Sequence, residues 1–302
     1  MNELQPTALV FGGGGFIGRA VCRKLRDAGI RPVGVEPHVP QGLDFEVREG
    51  DVTDMAALTT LFQQVRPTLV IHLAAMLGLD TDSNPVRATE VNVMGTLNVL
   101  EAARVSGVRR VVYASSIAVY GDQIDWGDHV LSETDHGRPS FFYGWHKQLN
   151  EASAAFYEEN YDMRCIGLRI STVYGEGRST GASAPITKVL EATAGGSVDC
   201  PFGPETDSCM IHVEGCAEAL VALAVSDKPA HSIYNVGGEF STMGQVRDLV
   251  SELRPEIELR LAPAEVRLPH VSRLSSSRLR SEFGLHPASF TGWVRGLLSS
   301  AS

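Results

Sequence analysis

A chain of 302 residues, 43% hydrophobic and 21% charged, has the composition of a globular protein with room for one large domain or two intimate ones. Its 36 acidic residues outweigh 26 basic ones, for a formal net charge of -10, which argues against nucleic acid or an anionic membrane surface as the main partner. No run approaches the ~18 apolar residues of a membrane span, and the stretch Met1–Pro6 has neither the basic region nor the apolar core of a signal peptide.

Ala8–Phe11 is a short apolar run that predicts a buried strand. It empties into four glycines, Gly12 to Gly15, then Phe16-Ile17-Gly18 and a helical pattern from Arg19 to Leu25. Gly12, Gly15 and Gly18 share the spacing G-x-x-G-x-x-G. Glycines permit φ > 0 and let a ligand approach the backbone closely. The helix that follows offers unpaired N–H groups and a positive dipole end to a pyrophosphate. A strand before and an amphipathic helix after are the context that makes such a turn a dinucleotide site.

Arg31–Glu36 predicts a second strand ending in an acid, and Glu36 lies 18 residues beyond Gly18. A carboxylate there accepts hydrogen bonds from an adenosine ribose and repels a 2′-phosphate, which favours NAD over NADP. Pro37-His38-Val39-Pro40 supply no arginine to offset it; Arg19, which follows the phosphate turn, is the arginine that could reach a 2′-phosphate in some geometries. Phe45–Val52 predicts a third strand and a turn. Asp51 suits either the adenine end of the ligand or the N-cap of a helix near Met55–Leu58. Leu69–Ala75 predicts a fourth strand, with His72 as a packed residue and Ala74-Ala75 leaving room for a cofactor. Met76 to Pro85 is expected to be a loop at the strand's C-terminal end, the edge that faces ligand in an open α/β sheet.

Glu90 to Arg104 predicts a long amphipathic helix and Arg110–Ala114 a fifth strand running into Ser115-Ser116. The polar stretch Asp122 to Pro139 is a predicted loop. Tyr143 opens a helix to about Glu159, and Arg164–Ile170 is a sixth strand. Strands alternating with helices predict an α/β fold with a doubly wound parallel sheet. Further on, helix is expected over Ala184–Ala194, strand then helix over Met210–Val225, a strand over His231–Gly237, a helix over Met243–Leu253, and two short helices over Leu274–Leu298. The expected division is 1–172 for the dinucleotide-binding domain, with segments near 210–250 returning to it. Residues 173–302 would form mainly a smaller interwoven substrate lobe, with the cleft between them. Cys22, Cys165, Cys200, Cys209 and Cys216 form no C-x-x-C pair; they suit free thiols in a reducing cytoplasm and give no zinc site.

Tyr143 and Lys147 stand four apart and share a helix face. An ammonium beside a phenol favours the phenolate, which makes Tyr143 a plausible acid/base at neutral pH. A serine hydroxyl at the end of the neighbouring strand would reach the same substrate oxygen.

Taken together, Gly12-x-x-Gly15-x-x-Gly18, His72-Leu73-Ala74-Ala75, Asn92-x-x-Gly95-Thr96, Ser115-Ser116-x-Ala118-Val119-Tyr120-Gly121 and Tyr143-x-x-x-Lys147 resemble, in order and spacing, the extended short-chain dehydrogenases/reductases, also called NAD-dependent epimerases/dehydratases. Ile211-His212-Val213-Glu214 and Tyr234-Asn235-Val236-Gly237-Gly238 look like later landmarks of the group. The resemblance implies a Rossmann-type sheet, a homodimer, and Ser116, Tyr143 and Lys147 as catalytic residues. It implies NAD held by Gly12, Gly15, Phe16, Ile17, Gly18, Glu36, Asp51, Val52, Leu73, Ala74, Ala75, Asn92, Tyr143 and Lys147. The dimer contact would use the helices around Glu90–Arg104 and Tyr143–Glu159, whose Val91, Leu97, Ala102, Ala152, Ala155 and Phe156 exceed one buried stripe.

The motifs are shared by dehydrogenases, which release a ketone, and epimerases or dehydratases, which retain NAD and most often act on nucleotide sugars. A non-catalytic NAD-binding regulator is a third reading. Members of the group acting on nucleotide sugars usually carry asparagine in R-x-x-N-V-Y-G and an arginine before the I-H-V motif, both gripping pyrophosphate. Here Thr172 replaces that asparagine, and Asp207-Ser208-Cys209-Met210 precede Ile211 without an arginine. A charge-assisted contact is worth roughly 1.5–3 kcal/mol. The expectation is therefore a small substrate without a nucleotide: a sugar, sugar acid, hydroxy acid or hydroxy amino acid, contacted by Met76, Ser116, Thr172 and Arg178, the last through a carboxylate.

Overall fold

The computed structural model describes residues 5–192, 195–238, 240–263, 271–293 and 295. β1 (Thr7–Phe11) leads through the glycine turn to α1 (Phe16–Asp27). Then come β2 (Arg31–Glu36), β3 (Glu46–Glu49), α2 (Met55–Val65), β4 (Leu69–His72), the short helices α3 (Leu79–Ser83) and α4 (Pro85–Thr89), and a π-helical turn Glu90–Met94. α5 (Gly95–Val105), β5 (Arg110–Ser116), α6 (Phe142–Asn160) and β6 (Arg164–Ile170) follow. The remainder is β7 (Thr172–Tyr174), α7 (Ala184–Glu191), β8 (Ser197–Cys200), β9 (Asp207–His212), α8 (Val213–Val225), β10 (Ile233–Val236), β11 (Phe240–Thr242), α9 (Met243–Leu253), β12 (Glu258–Leu261) and α10 (Ser277–Phe283).

The main sheet has seven strands in the order β10-β6-β5-β4-β1-β2-β3, and every neighbouring pair is parallel. This is the Rossmann-type sheet expected. The order runs outward from β1 in both directions, so the strand connections reverse between β1 and β4. Such a reversal opens a crevice beyond the strands' carboxyl ends. β1 shows why its sequence is apolar from Ala8 to Phe11. Ala8 and Val10 face one side, in a core shared with Val21 and Leu25 of α1 and Leu220 of α8. Leu9 and Phe11 face the other, against Leu58 and Phe62 of α2 and Val99 of α5. A parallel strand buried on both faces loses the alternation of a one-sided strand.

Beyond residue 172 the chain contributes to two places. β10 pairs with β6, and α8 packs against the same sheet and α1. The β7-β9-β11 and β8-β12 sheets, with α7 and α9, enclose a separate core of Tyr174, Ile186, Val198, Phe202, Met210, Val246 and Val250. No described helix is long and apolar enough to cross a membrane.

Several local expectations change. Met76–Pro85 is not all loop: it contains α3, whose first turn holds Asp80 and Asp82, acids favoured at a helix N-terminus. The N-cap of α2 is Asp54, whose Oδ1 accepts from the Ala56 and Ala57 amides; Asp51 does not cap it. The helix expected from Glu90 begins as a π-turn before α5. The Ala184–Ala194 helix ends at Glu191, and residues 193–194 lie outside the described residues. Of Leu274–Leu298, α10 and residues 290–293 are helical, while 294 and 296–298 lie outside the described residues, as do 1–4 of the opening stretch.

The turn itself is tightly constrained. A Cβ on Gly18 would sit 2.0 Å from the Gly12 carbonyl oxygen and 2.6 Å from Gly13 Cα, so α1 starts where only hydrogen fits. Gly18→Ala is expected to push α1 off β1, destabilising the protein by about 1–3 kcal/mol and weakening dinucleotide binding; urea denaturation and NADH fluorescence titration measure both.

Candidate active site

At the crevice, the carboxyl ends of β1, β2, β4 and β5 surround a cleft of about 940 Å³. Every expected site residue lines it except Asn92. Gly12 adopts φ +78°, and its amide donates to the Val35 carbonyl at 3.0 Å. The Gly14 amide donates to Glu36 Oε1 at 2.7 Å, and Arg19 Nε donates to the Gly14 carbonyl at 2.7 Å. Glu36 thus holds the phosphate turn as well as standing at the end of β2. Burial raises its carboxyl above the usual range, offset in part by the Gly14 and Gly15 amides and by Arg19. Asp51 accepts from the Thr53 amide and hydroxyl and from Arg87 Nη2 at 3.0 Å. Burial opposes its charge, but those partners outweigh it and hold the carboxyl below its ordinary range.

On the opposite wall, Tyr143 and Lys147 project from α6 towards the end of β5. Ser116 Oγ accepts from the Ala118 amide at 3.1 Å and faces the Tyr143 phenol, whose pKa it acts to lower. Lys147 Nζ donates to the Ala114 carbonyl at 2.7 Å and stands 5.4 Å from the centroid of the Tyr143 ring. Burial lowers the Lys147 ammonium to about 8, with Glu151 opposing. The expected depression of the Tyr143 phenol is not found in the protein by itself. Burial pushes it well up, and the groups that pull it back are Ser116 and Arg178, not Lys147. Burial is the largest cause, and the Lys147 ammonium donates to the Ala114 carbonyl.

Asn92 sits one layer behind the cleft. Its Oδ1 accepts from the Met76 amide at 2.8 Å and its Nδ2 donates to the Met76 carbonyl at 3.0 Å. Its own carbonyl accepts from Asn150 Nδ2 at 2.8 Å, which ties the π-turn to α6. The expectation that Asn92 supports the active-site helix agrees with this; a direct cofactor contact does not, because the side chain is taken up by the Met76 backbone. His72 is packed as expected, edge-on to Phe11 and 3.1 Å from Thr96 Oγ1, and burial lowers its imidazole to about 3.

Arg178 enters the cleft from the loop after β7. Its guanidinium lies 5.4 Å over the Phe16 ring and faces Tyr143, and its buried Nε has no hydrogen-bond partner among the described residues. Burial lowers its pKa from the usual arginine range. Thr172 and Met76 line the same end. Sequence reasoning passed over Arg87, which lines the cleft, and Glu151, which is buried beneath Lys147. Extending the helical period of Tyr143 and Lys147 by one more turn would have found Glu151.

The glycine cradle, an acid at the ribose position and the alanine-lined passage at Ala74-Ala75 fit a dinucleotide without added side chains. Glu36→Ala is expected to weaken NADH binding about tenfold or more and to narrow the preference over NADPH. Parallel fluorescence titrations with both cofactors measure this; an unchanged ratio would remove Glu36 as the discriminating residue.

The sequence model of the NAD dependent epimerase/dehydratase family matches residues 8–237. A UDP-glucose 4-epimerase of Mycolicibacterium smegmatis is 30% identical over 298 residues, covering 92% of this chain and 93% of that protein. The crystal structure of the Thermus thermophilus UDP-glucose 4-epimerase in complex with NAD superposes with a TM-score of 0.82 at 28% identity, covering 97% of this chain and 98% of that one. An L-threonine dehydrogenase from Clostridium difficile shares the fold, with a TM-score of 0.86 at 20% identity over 98% of both chains. The fold, the cradle and the matched sequence together make this chain a member of the NAD-dependent epimerase/dehydratase family, with NAD as its cofactor.

Proposed function

We propose that the protein is a dehydrogenase that oxidises the secondary alcohol of a small, carboxylate-bearing substrate without a nucleotide, or reduces the matching ketone. The observation that carries this reading is Arg178: a half-buried cation beside Tyr143, with a buried Nε that no group among the described residues satisfies. A carboxylate from a sugar acid, hydroxy acid or hydroxy amino acid fills that need with charge-assisted hydrogen bonds. When bound, NAD supplies the hydride acceptor. The chain's residues manage the proton and the alignment. Tyr143, as phenolate, takes the hydroxyl proton while the carbon–hydrogen pair leaves as hydride and the C–O bond becomes a carbonyl. Ser116, facing the Tyr143 phenol, aligns the substrate oxygen and stabilises the phenolate. Lys147 holds the nicotinamide ribose. Gly12, Gly15, Phe16, Ile17 and Gly18 cradle the pyrophosphate, Glu36, Asp51 and Val52 take the adenosine, and Leu73, Ala74 and Ala75 border the passage between. Met76 and Thr172 close the substrate end, and residues 173–302 supply most of that lobe.

A nucleotide-sugar epimerase is the second reading, favoured by the likeness to the Mycolicibacterium smegmatis enzyme along 92% of the chain. Thr172 and the arginine-free Asp207–Met210 run oppose it. Calorimetric titration of the NAD-loaded protein with UDP-, GDP- and dTDP-sugars beside free hydroxy acids and sugars decides. Binding confined to a nucleotide sugar overturns the first reading.

With the substrate so identified, Tyr143→Phe is expected to lower kcat roughly 10²–10⁴-fold and leave NADH affinity unchanged. Arg178→Met should raise KM for the carboxylate substrate about tenfold or more, again without changing NADH affinity. A loss of NADH affinity instead would place Arg178 on the cofactor phosphates.

We also infer a cytoplasmic homodimer. The described cysteines are all free, which suits a reducing compartment. α6 turns Phe142, Trp145, Leu149 and Phe156 outward, with Trp145 55% and Phe156 54% exposed, and Met94 and Val105 lie exposed at the two ends of α5. Four large apolar residues at helical spacing on a solvent face support a helix–helix contact with a second copy. Ala102, expected on that face, is instead fully buried in the core. Trp145→Glu should turn a dimer into a monomer in light scattering at micromolar concentration; a monomeric parent protein would remove the inference.

A further inference from the structure

We propose that Glu151, paired with Arg169, is a positioning residue that keeps Lys147 charged and locks the Ala114–Ser116 strand end against α6. The inference rests on the role of Lys147 given above. Tyr143, Lys147 and Glu151 follow one another at four-residue intervals, each about 6 Å further along α6. Each meets a different residue at the end of β5. Tyr143 faces Ser116, Lys147 donates to the Ala114 carbonyl at 2.7 Å, and Glu151 Oε1 accepts from Ser115 Oγ at 2.5 Å. The seam therefore fixes where both the proton carrier and the ammonium stand relative to the cleft. Glu151 is the member that never reaches the cleft.

Its carboxylate is held from the other side as well. Arg169, the β6 register partner of Ser115, donates through Nε to Oε1 at 2.9 Å and through Nη2 to Oε2 at 2.7 Å. The two side chains are 9% and 11% exposed. Arg169 Nη1 also donates to the Tyr120 hydroxyl at 2.7 Å, and that hydroxyl lies 2.8 Å from Asn235 Oδ1 on β10. The carboxylate is thus clamped in place and has no freedom to follow Lys147 or leave it.

The charge count explains why a clamped acid is needed. Lys147 is 4% exposed, so water does little to keep it protonated. His72 from β4 and His146 from α6 also face it; burial lowers both imidazoles, with Lys147 adding to the effect, and both remain neutral. Tyr143 is a neutral phenol without the cofactor. Arg169 is a second buried cation. Glu151 is the carboxylate whose charge acts on Lys147 in the opposite sense to burial. A buried + − + array loses its balance when the central charge is removed.

The readout is NADH affinity as a function of pH, which needs no substrate. Wild-type affinity should fall as the pH rises through about 8, where Lys147 loses its proton. Lys147→Met should abolish that limb; a limb that persists in this variant overturns the role of Lys147 itself, and with it this inference. Glu151→Gln keeps the hydrogen bond from Ser115 and removes the charge, and should move the limb down by about one pH unit or more. Glu151→Asp should restore it. Because a lone Glu151→Gln strands two buried cations, the paired Glu151→Gln/Arg169→Met variant keeps the test open if the single variant does not fold; its limb is read against that of Arg169→Met alone, so that loss of the Arg169 charge cancels, and should again lie about one pH unit or more lower. A limb that stays at wild-type pH in folded Glu151→Gln, or at the Arg169→Met pH in the paired variant, with only thermal stability reduced, would show a merely structural ion pair and overturn the proposal.

Discussion

Lys147 is an ammonium placed where burial disfavours charge, and most of the active wall is arranged around keeping it there. Its hydrogen bond to the Ala114 carbonyl couples α6 to the last residues of β5, so the helix carrying Tyr143 cannot slide without breaking it. The neighbouring contacts at Ser115 and Ser116 repeat the coupling at each successive residue. Burial acts on Tyr143 in the same direction, towards the neutral form. Water therefore does little to set the charge of either partner, and charge brought by ligands changes their balance more than it would at an exposed site.

The cofactor half of the protein was plain in the sequence because its physics is local. An apolar strand buried on both faces, a glycine turn and a helix are contiguous, and Glu36 follows at a short distance. The packing of β1 against two cores, and the 2.0 Å approach that a Gly18 Cβ would make, give the physical content of that pattern. What the sequence concealed was non-local. Nothing in Asn92 announces that it grips both polar groups of the Met76 backbone, sixteen residues earlier. Nothing in Lys147 announces that its ammonium donates to the Ala114 carbonyl, and nothing local to Tyr143 announces the burial that raises its phenol where a depression was expected. The short strands β8, β11 and β12 were also hidden, since Ser197–Cys200, Phe240–Thr242 and Glu258–Leu261 carry too few apolar residues to stand out from loop.

The substrate end is the part least determined by the fold. Relatives with closely similar backbones include UDP-glucose 4-epimerases and L-threonine dehydrogenases, so the sheet and its helices serve either outcome. What differs must lie in side chains such as Thr172, Met76 and Arg178, carried on short connections at the strand ends. Arg178 is the most informative of them because burial has stripped its guanidinium of water without giving every N–H an acceptor among the described residues.

The place of β10 has a consequence for how the chain folds. The edge of the main sheet is completed by Ile233–Val236, which arrive more than sixty residues after β6, and Asn235 inserts directly into the Tyr120–Arg169 network. Until that strand is made, β6 presents an unpaired apolar edge, and the Arg169 side of the active wall lacks one of its anchors. The main sheet therefore does not close within the first 172 residues. An N-terminal fragment ending there would carry the whole glycine cradle and still expose a strand edge prone to pairing with other chains. Emerging from the ribosome, the cradle's residues are all present long before the strand that completes the sheet, whose pairing with β6 is a long-range contact.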